Sequence, residues 1–279
     1  MKRVVEQVVS ATRGPEIMRF ALLGSGSKGN SLYVEAGRTA ILVDAGFSGK
    51  EIVKRLSQIG RDLADLDGIF LTHEHRDHIH GVGVLSRRCR LPVHANEGTF
   101  AGGEKKMGKL HRRVEFETGT LLQMQDMEVR SFRISHDTLD PVGYLISDGR
   151  VSLACCTDTG KVSHLISRRL SGCSAIILEF NHDPLMLKTG PYPLFLKQRV
   201  RSSHGHLANE DAATFLKTLV HDRLQHIILA HLSETNNTAD LALKSAASVL
   251  EEKYLSSLIV ARQDKPTPLF DLSPIARSF

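Results

Sequence analysis

The sequence predicts an α/β sandwich, two β-sheets packed face to face with helices outside. Three observations carry this reading. Short, β-rich apolar runs crowd the opening of the chain, helical periodicities interleave with further strand-like runs after it, and no repeat, low-complexity tract or linker divides the sequence. At 279 residues the chain is long for one domain, but layered α/β folds often use more than the common ~100–200 residues as a single unit. Residues 1–17 read as an amphipathic or flexible leader, because Glu6, Gln7 and Ser10 interrupt the valines and deny it the apolar stretch of a signal peptide. Met18 directly precedes the first strand-like run, so one domain is expected over 18–279.

In chain order, residues 20–23 form an apolar strand and lead into a glycine loop from Gly24 to Asn30. Residues 31–35 and 40–43 flank a turn at Gly37, a hairpin pattern that ends on Asp44. A helix is expected from Ser48, where Glu51 completes a capping box, Ile52, Leu56 and Ile59 keep one apolar face, and Gly60 closes it. Residues 68–71 are a buried strand that delivers a histidine-rich run. Strand-like segments recur at 129–134, 142–147 and 151–156, then a helix at 162–170 and a strand at 175–178. A helix at 210–220, a strand at 227–229, one helix over 239–254 and a strand at 258–261 precede a proline-containing tail.

Bulk properties exclude several classes. With 41% hydrophobic and 24% charged residues the chain can bury a large core. No apolar run approaches the ~20 residues that cross a bilayer, so no membrane partner is expected. Cys89, Cys155, Cys156 and Cys173 form no C-x-x-C pair and read as buried thiols of a reducing cytoplasm. The net charge of +5 and pI near 9.1 tilt the protein towards anionic partners. The informative outlier is the count of 14 histidines.

Gly24, Gly26 and Gly29 satisfy G-x-G-x-x-G literally, and Asp44 follows at the distance of a ribose-binding acid. A dinucleotide site needs a helix to open at that loop. Here the loop opens into a strand, so the nucleotide reading is rejected in favour of a tight turn. Free amides of the loop, with Lys28, remain candidates to contact a substrate phosphate.

The metal signal is stronger. His73, His75, Asp77 and His78 lie within six residues directly after an apolar strand, and a strand end running into a loop can aim closely spaced side chains in several directions. His73 and His75 can serve one ion while Asp77 and His78 turn to a second; mixed imidazole and carboxylate ligation suits a hydrolytic dinuclear site. His136, Asp158 and His231 each follow another apolar segment, where sheet-borne sites gather their loops.

This ordered set, Asp44, His73-x-His75-x-Asp77-His78, His136, Asp158 and His231, resembles the metallo-β-lactamase superfamily from Met18 to about Ala261. The resemblance implies a four-layer αββα sandwich and two divalent ions, Zn²⁺ or Mn²⁺. It assigns one ion to His73, His75 and His136, the other to Asp77, His78 and His231, with Asp158 bridging them and Asp44 orienting the histidine loop behind. Segments around Gly24–Ser31, Glu179–Asp183, Gly190–Pro193 and Gly205–Asn209 look like the WalJ/YycJ (VicX) family, which is associated with 5′-to-3′ exonuclease activity on DNA. Phe180 and the leader depart from that family's pattern, but neither touches a ligand position.

Two ions ~3.5–4 Å apart can generate a hydroxide from bridging water and stabilise an in-line displacement. Two divalent ions less the charges of Asp77 and Asp158 leave a positive excess that favours a phosphodiester anion over a neutral lactam or thioester. Asp77, His206 and His182 are the catalytic candidates. By resemblance, His206 contacts the scissile phosphate and protonates the leaving oxygen; His182 is a further candidate for the pocket. Basic clusters at Arg87-Arg88-Cys89-Arg90, Lys105-Lys106, Lys109 with Arg112-Arg113, and Lys197 with Arg199 and Arg201 suit a nucleic-acid track, expected to be DNA. No Trp and 5% aromatics leave few stacking platforms. The expected activity is therefore DNA 5′-to-3′ exonuclease; a cyclic or other small-molecule phosphodiesterase, and a DNA-associated regulatory module with a structural metal, are the alternatives. The sequence is compatible with a homodimer.

Overall fold

The computed structural model describes residues 17–275. The expected leader, Ile17 apart, lies outside them. Two seven-stranded sheets form the centre. The first is built from β1 (Met18–Gly24), β2 (Ser31–Ala36), β3 (Thr39–Val43), β4 (Gly68–Phe70), β5 (Pro92–Ala95) and β6 (Arg112–Glu115), with β14 (Phe270–Leu272) paired to β1 at its far edge. The second holds β7 (Leu121–Gln123), β8 (Glu128–Arg133), β9 (Val142–Ser147), β10 (Ser152–Cys156), β11 (Ala175–Glu179), β12 (His226–Ala230) and β13 (Leu258–Val260), adjacent in that order.

Side-chain alternation assigns the layers. Ile41, Val43 and Phe70 point into a core between the sheets, against Val129, Tyr144, Ile146, Leu153 and Ile177. Their neighbours Leu42, Ile69 and Leu71 face the opposite way, against Ile52 and Leu56 of α1 (Gly49–Gln58), Val82 and Leu85 of α3 (Val82–Cys89), and Phe100 of α4 (Glu97–Met107). A four-residue helix, α2 (Arg76–Ile79), carries the second half of the histidine run. Beyond the second sheet, Ile176, Leu178, Ile227 and Leu229 pack on α5 (His164–Leu170), α8 (Asn209–Lys217) and α9 (Ala239–Ala247). Strands covered on both faces read as continuous apolar runs, as β4, β11 and β12 do. The result is helix, sheet, sheet, helix, the fold class expected from the sequence. Two short helices, α6 (Pro184–Thr189) and α7 (Leu194–Arg201), flank the Gly190–Pro193 turn, and α10 (Glu252–Leu255) follows α9.

Two local expectations change. The helix expected over 239–254 is broken between α9 and α10, where the Ser248 hydroxyl turns back to donate to the Ser245 carbonyl and competes with the helix ladder. The proline-containing tail is not merely a tail, since Thr267 N donates to Leu22 O and β14 extends the first sheet. Among the described residues no helix is long and apolar enough to cross a membrane.

Topology places the site. β3, β4 and β5 run parallel, as do β10, β11 and β12, and β8 points the same way as β10 because each is antiparallel to β9. Asp44, the His73 run, His136, Asp158, Glu179 and His231 therefore all lie at or just past carboxyl ends of strands, and the two sheets bring them to one rim of the sandwich.

Candidate metal centre

Three of these residues, Asp44, Asp158 and His231, adopt left-handed backbone with φ of 61°, 57° and 55°. For side chains other than glycine that region costs roughly 1–3 kcal/mol. Each turns the chain sharply as a strand ends and aims the side chain back into the rim. Gly46 permits the next approach: a Cβ there would lie 1.6 Å from the Asp77 carbonyl oxygen.

Two donor sets converge. One ligand atom each from His73, His75 and His136 lie within 4.8 Å of one another, as do those of Asp77, His78 and His231; Asp158 forms a third such group with His73 and His78. Asp158 thus reaches both sets, with Oδ2 3.5 Å from His78 Nε2 and Oδ1 3.3 Å from His231 Nε2 and 3.9 Å from His136 Nε2. His75 Nδ1 and His136 Nε2 are 3.2 Å apart. Ligands about 2.05 Å from a tetrahedral ion stand about 3.3 Å from each other, and these spacings match that value. All seven expected ligands are brought together.

The surroundings orient the imidazoles. Thr72 N donates to Asp44 Oδ1 at 2.9 Å, and His78 Nδ1 bonds Asp44 Oδ2 at 2.7 Å, leaving Nε2 for the centre. His136 Nδ1 bonds Gly205 O at 3.1 Å and His231 Nδ1 bonds Glu179 Oε1 at 3.0 Å. The inward atoms His73 Nε2, His231 Nε2 and Asp158 Oδ2 are buried and have no hydrogen-bond partner. Buried polar atoms in native folds are normally satisfied, so three orphans in one cluster fit metal ligation. Burial pushes the His73 pKa well below the ordinary range, with His78 adding to the effect, and pushes His75 down to about 4. For His78 burial also acts downward, but Asp158, Asp44 and Asp77 outweigh it and hold the imidazole well above its usual value.

Glu179 is the residue whose role sequence reasoning missed. It is fully buried at the end of β11, and its Oε1 accepts from both His206 Nδ1 at 2.7 Å and His231 Nδ1. Oε2 accepts from Thr159 N and Leu207 N at 2.9 and 3.1 Å. Burial alone would raise its pKa, but His206 and His231 bring it down to about 2. The available signal was the one that marked Asp44 and Asp158, an acid directly after an apolar strand. Asn30 was also missed: Oδ1 accepts from Gly26 N and Nδ2 donates to Asp77 Oδ2.

The glycine loop is a brace. The amides of Ser25, Gly26, Lys28, Gly29 and Asn30 bond to Arg262 O, Asn30 Oδ1, Gln263 Oε1, Gly26 O and Asp77 O. Lys28 pairs with Glu234 at 2.6 Å. The expectation of free loop amides with Lys28 for a phosphate is narrowed accordingly: these five amides are bonded within the fold, while Ser27, whose amide is not among them, lines the cleft.

The centre floors a cleft of about 440 Å³ lined by His75, Asp77, His136, Asp158, His206 and His231. Arg76, Lys106 and Arg199 also line it; Arg199 is paired with Asp137, and Lys106 Nζ donates to Glu74 O. Of the expected basic clusters, these walls take only Lys106 and Arg199. Arg87 bonds backbone carbonyls of Met107 and Lys109, and Arg113 pairs with Glu104 and Glu115. His206 lies beside the centre, its ring 4.9 Å from His136 and 5.2 Å from His231. His182 is buried behind the cleft and is not among its lining residues; burial brings its pKa down to about 4.

Comparison with known proteins identifies the family. The model of the beta-lactamase superfamily domain matches residues 39–231. The chain is 43% identical over 238 residues to exodeoxyribonuclease YycJ of Bacillus anthracis, covering 85% of this chain and 90% of that protein. It is 38% identical over 263 residues to exodeoxyribonuclease WalJ of Streptococcus pneumoniae, covering 91% and 98%. Among solved structures, the metallo-β-lactamase fold protein YhfI of Bacillus subtilis superposes with a TM-score of 0.71 at 17% identity, over 91% of this chain and 99% of that one, and speaks to the fold alone.

Proposed function

Because the chain belongs to the metallo-β-lactamase superfamily, in the branch of YycJ and WalJ, we propose that it is a dinuclear-metal phosphodiesterase acting as a 5′-to-3′ DNA exonuclease. The observation that carries the chemistry is the cluster of orphaned inward donors beneath a cleft walled by Arg76, Lys106 and Arg199. His73, His75 and His136 would hold one divalent ion, Asp77, His78 and His231 a second, with Asp158 shared. When bound, Zn²⁺ or Mn²⁺ there supplies an activated water nucleophile and charge against the displaced oxygen.

The chain's own residues do the rest. Arg76, Lys106 and Arg199 bind the phosphodiester anion and hold it at the rim. Glu179 accepts a hydrogen bond from His206 Nδ1 and balances the charge of the imidazolium form, whose second proton, on Nε2, can pass to the leaving oxygen. Asp44 accepts from His78 Nδ1 and turns Nε2 towards the centre, where it would serve as a ligand. His182, away from the cleft wall, supports this loop rather than the reaction. Residues 18–279 act as one domain, and a cytoplasmic setting suits the unpaired thiols of Cys155, Cys156 and Cys173.

The test is an end-labelled digestion series with Mn²⁺, Mg²⁺ and Zn²⁺ on single- and double-stranded DNA and RNA. Stepwise loss of nucleotides from 5′-phosphorylated DNA, abolished by Asp77→Ala, is expected. DNA left intact by wild type and Asp77→Ala alike would refute the reading.

A further inference from the structure

One feature beside the cleft serves neither metal binding nor packing, and its two side chains are not among the cleft-lining residues. Leu194 and Phe195, at the start of α7, are 70% and 72% exposed. Phe195 is the one aromatic side chain among the described residues that is exposed to this degree. Neither results from a loose segment. Gly190 N donates to Met186 O, Lys197 Nζ donates back to Lys188 O on α6, Arg199 pairs with Asp137, and His206 N donates to Val200 O at the far end of α7. The helix is tied down while its first turn stands proud.

Its placement is specific. Tyr192, Leu196, Arg199 and Val200 of this segment line the cleft. Phe195 precedes Arg199 by four residues, so the two share a helix face one turn apart. Residues 184–201 contain Lys188, Lys197, Arg199 and Arg201 and no acid. Apolar and aromatic surface framed by cations is the chemistry of a nucleic-acid platform, where the cations follow the backbone and the rings meet the bases. A second copy of this chain is disfavoured by the same composition, because a two-fold interface would set this patch against itself and oppose like charges. The cleft, at about 440 Å³, is of the size that takes a small-molecule-sized segment such as one nucleotide of a strand.

We propose that Leu194 and Phe195 form an apolar wall on which the terminal base pair of a duplex stacks, so that one strand is peeled into the cleft. This rests on the exonuclease reading. Apolar side chains wedged against base steps unstack DNA elsewhere by the same means.

The test uses metal-loaded full-length protein and the double variant Leu194→Ser with Phe195→Ser, whose exposed positions leave the core untouched. The expected result is a loss of about ten-fold or more in digestion of blunt duplex. Turnover of bis-p-nitrophenyl phosphate and shortening of 5′-phosphorylated single strands should stay near wild type. Because the sequence contains no tryptophan, Phe195→Trp supplies a single fluorophore: it should retain duplex digestion, and its emission should be quenched by a phosphorothioate-protected duplex. Equal duplex digestion by wild type and the serine variant, or no quenching, overturns the wall while the exonuclease reading stands. Loss of both DNA activities with a shift from dimer to monomer in light scattering identifies a self-association face and also overturns it. Wild type that hydrolyses bis-p-nitrophenyl phosphate but shortens no DNA refutes the exonuclease reading, and the wall with it.

Discussion

At the scale of single residues, the candidate site depends as much on what stands behind the proposed ligands as on those residues themselves. Glu179 binds two imidazoles with one oxygen, so Glu179→Gln puts an amide where both require a carboxylate. We expect it to lower metal affinity or turnover by 10–100-fold, the usual cost of losing such support, measured by metal titration beside steady-state kinetics on bis-p-nitrophenyl phosphate. His206→Ala should instead lower kcat while metal content, read by elemental analysis, is unchanged. The seven candidate ligands that the structure brings together were legible because each is a histidine or acid in or after a segment that ends an apolar run. Glu179 obeys the same local pattern, but its function exists only through His206 and His231, which are 27 and 52 positions away. Asn30 was hidden for the same reason, since Asp77 lies 47 positions from it.

At the scale of elements, the joints are tighter than the elements themselves. Alanine at Gly46 would drive its Cβ into the Asp77 carbonyl, so Gly46→Ala should destabilise by several kcal/mol in denaturant melts and lose metal. Ser48→Ala should cost only about 1 kcal/mol, the worth of its cap on the Glu51 amide. That cap and the apolar face behind it made α1 readable. By contrast α4 contains Gly98, Gly102 and Gly103, which weigh against a helix by propensity. A Cβ at Gly102 would lie 2.6 Å from Glu74, one at Gly98 2.9 Å from Asp140 and one at Gly103 2.7 Å from Met107, tertiary demands mostly invisible in a local window. β6, β7 and β14 are edge or near-edge strands of three or four residues with exposed positions, too short for alternation to declare them.

At the scale of the molecule, two sheets meet at a rim that metal should help to lock. Chelation is expected to lower Tm by on the order of 10 °C, with recovery on adding Zn²⁺ or Mn²⁺, as for a ligand present at about 1,000 times its Kd; scanning calorimetry reads this directly. Acid stability has a source away from the rim. Glu35 accepts from Arg61 at 2.6 Å through both oxygens and from Tyr33 at 2.6 Å. Burial raises its pKa, but Arg61 and Tyr33 outweigh it and leave the folded value below 4.5. A depressed carboxylate stabilises fully above its unfolded pKa and loses that contribution as pH falls through the folded one. Wild type should therefore lose Tm more steeply than Glu35→Gln below pH 4.5, and exceed it at pH 7. The sandwich of two sheets with helices outside was legible because strands buried on both faces are apolar throughout; that strand ends gather the site was legible too, but not the shared direction of β8 and β10 across β9 that brings it about.

The left-handed backbone at Asp158 has a practical use. An alanine there would remove the carboxylate and keep the torsional penalty, whereas glycine adopts φ near 57° freely. Asp158→Gly should thus be inert in hydrolysis yet melt above Asp158→Ala. A chain that still folds and grips a DNA end without cutting it is a substrate trap, suited to capturing the bound strand for crystallography.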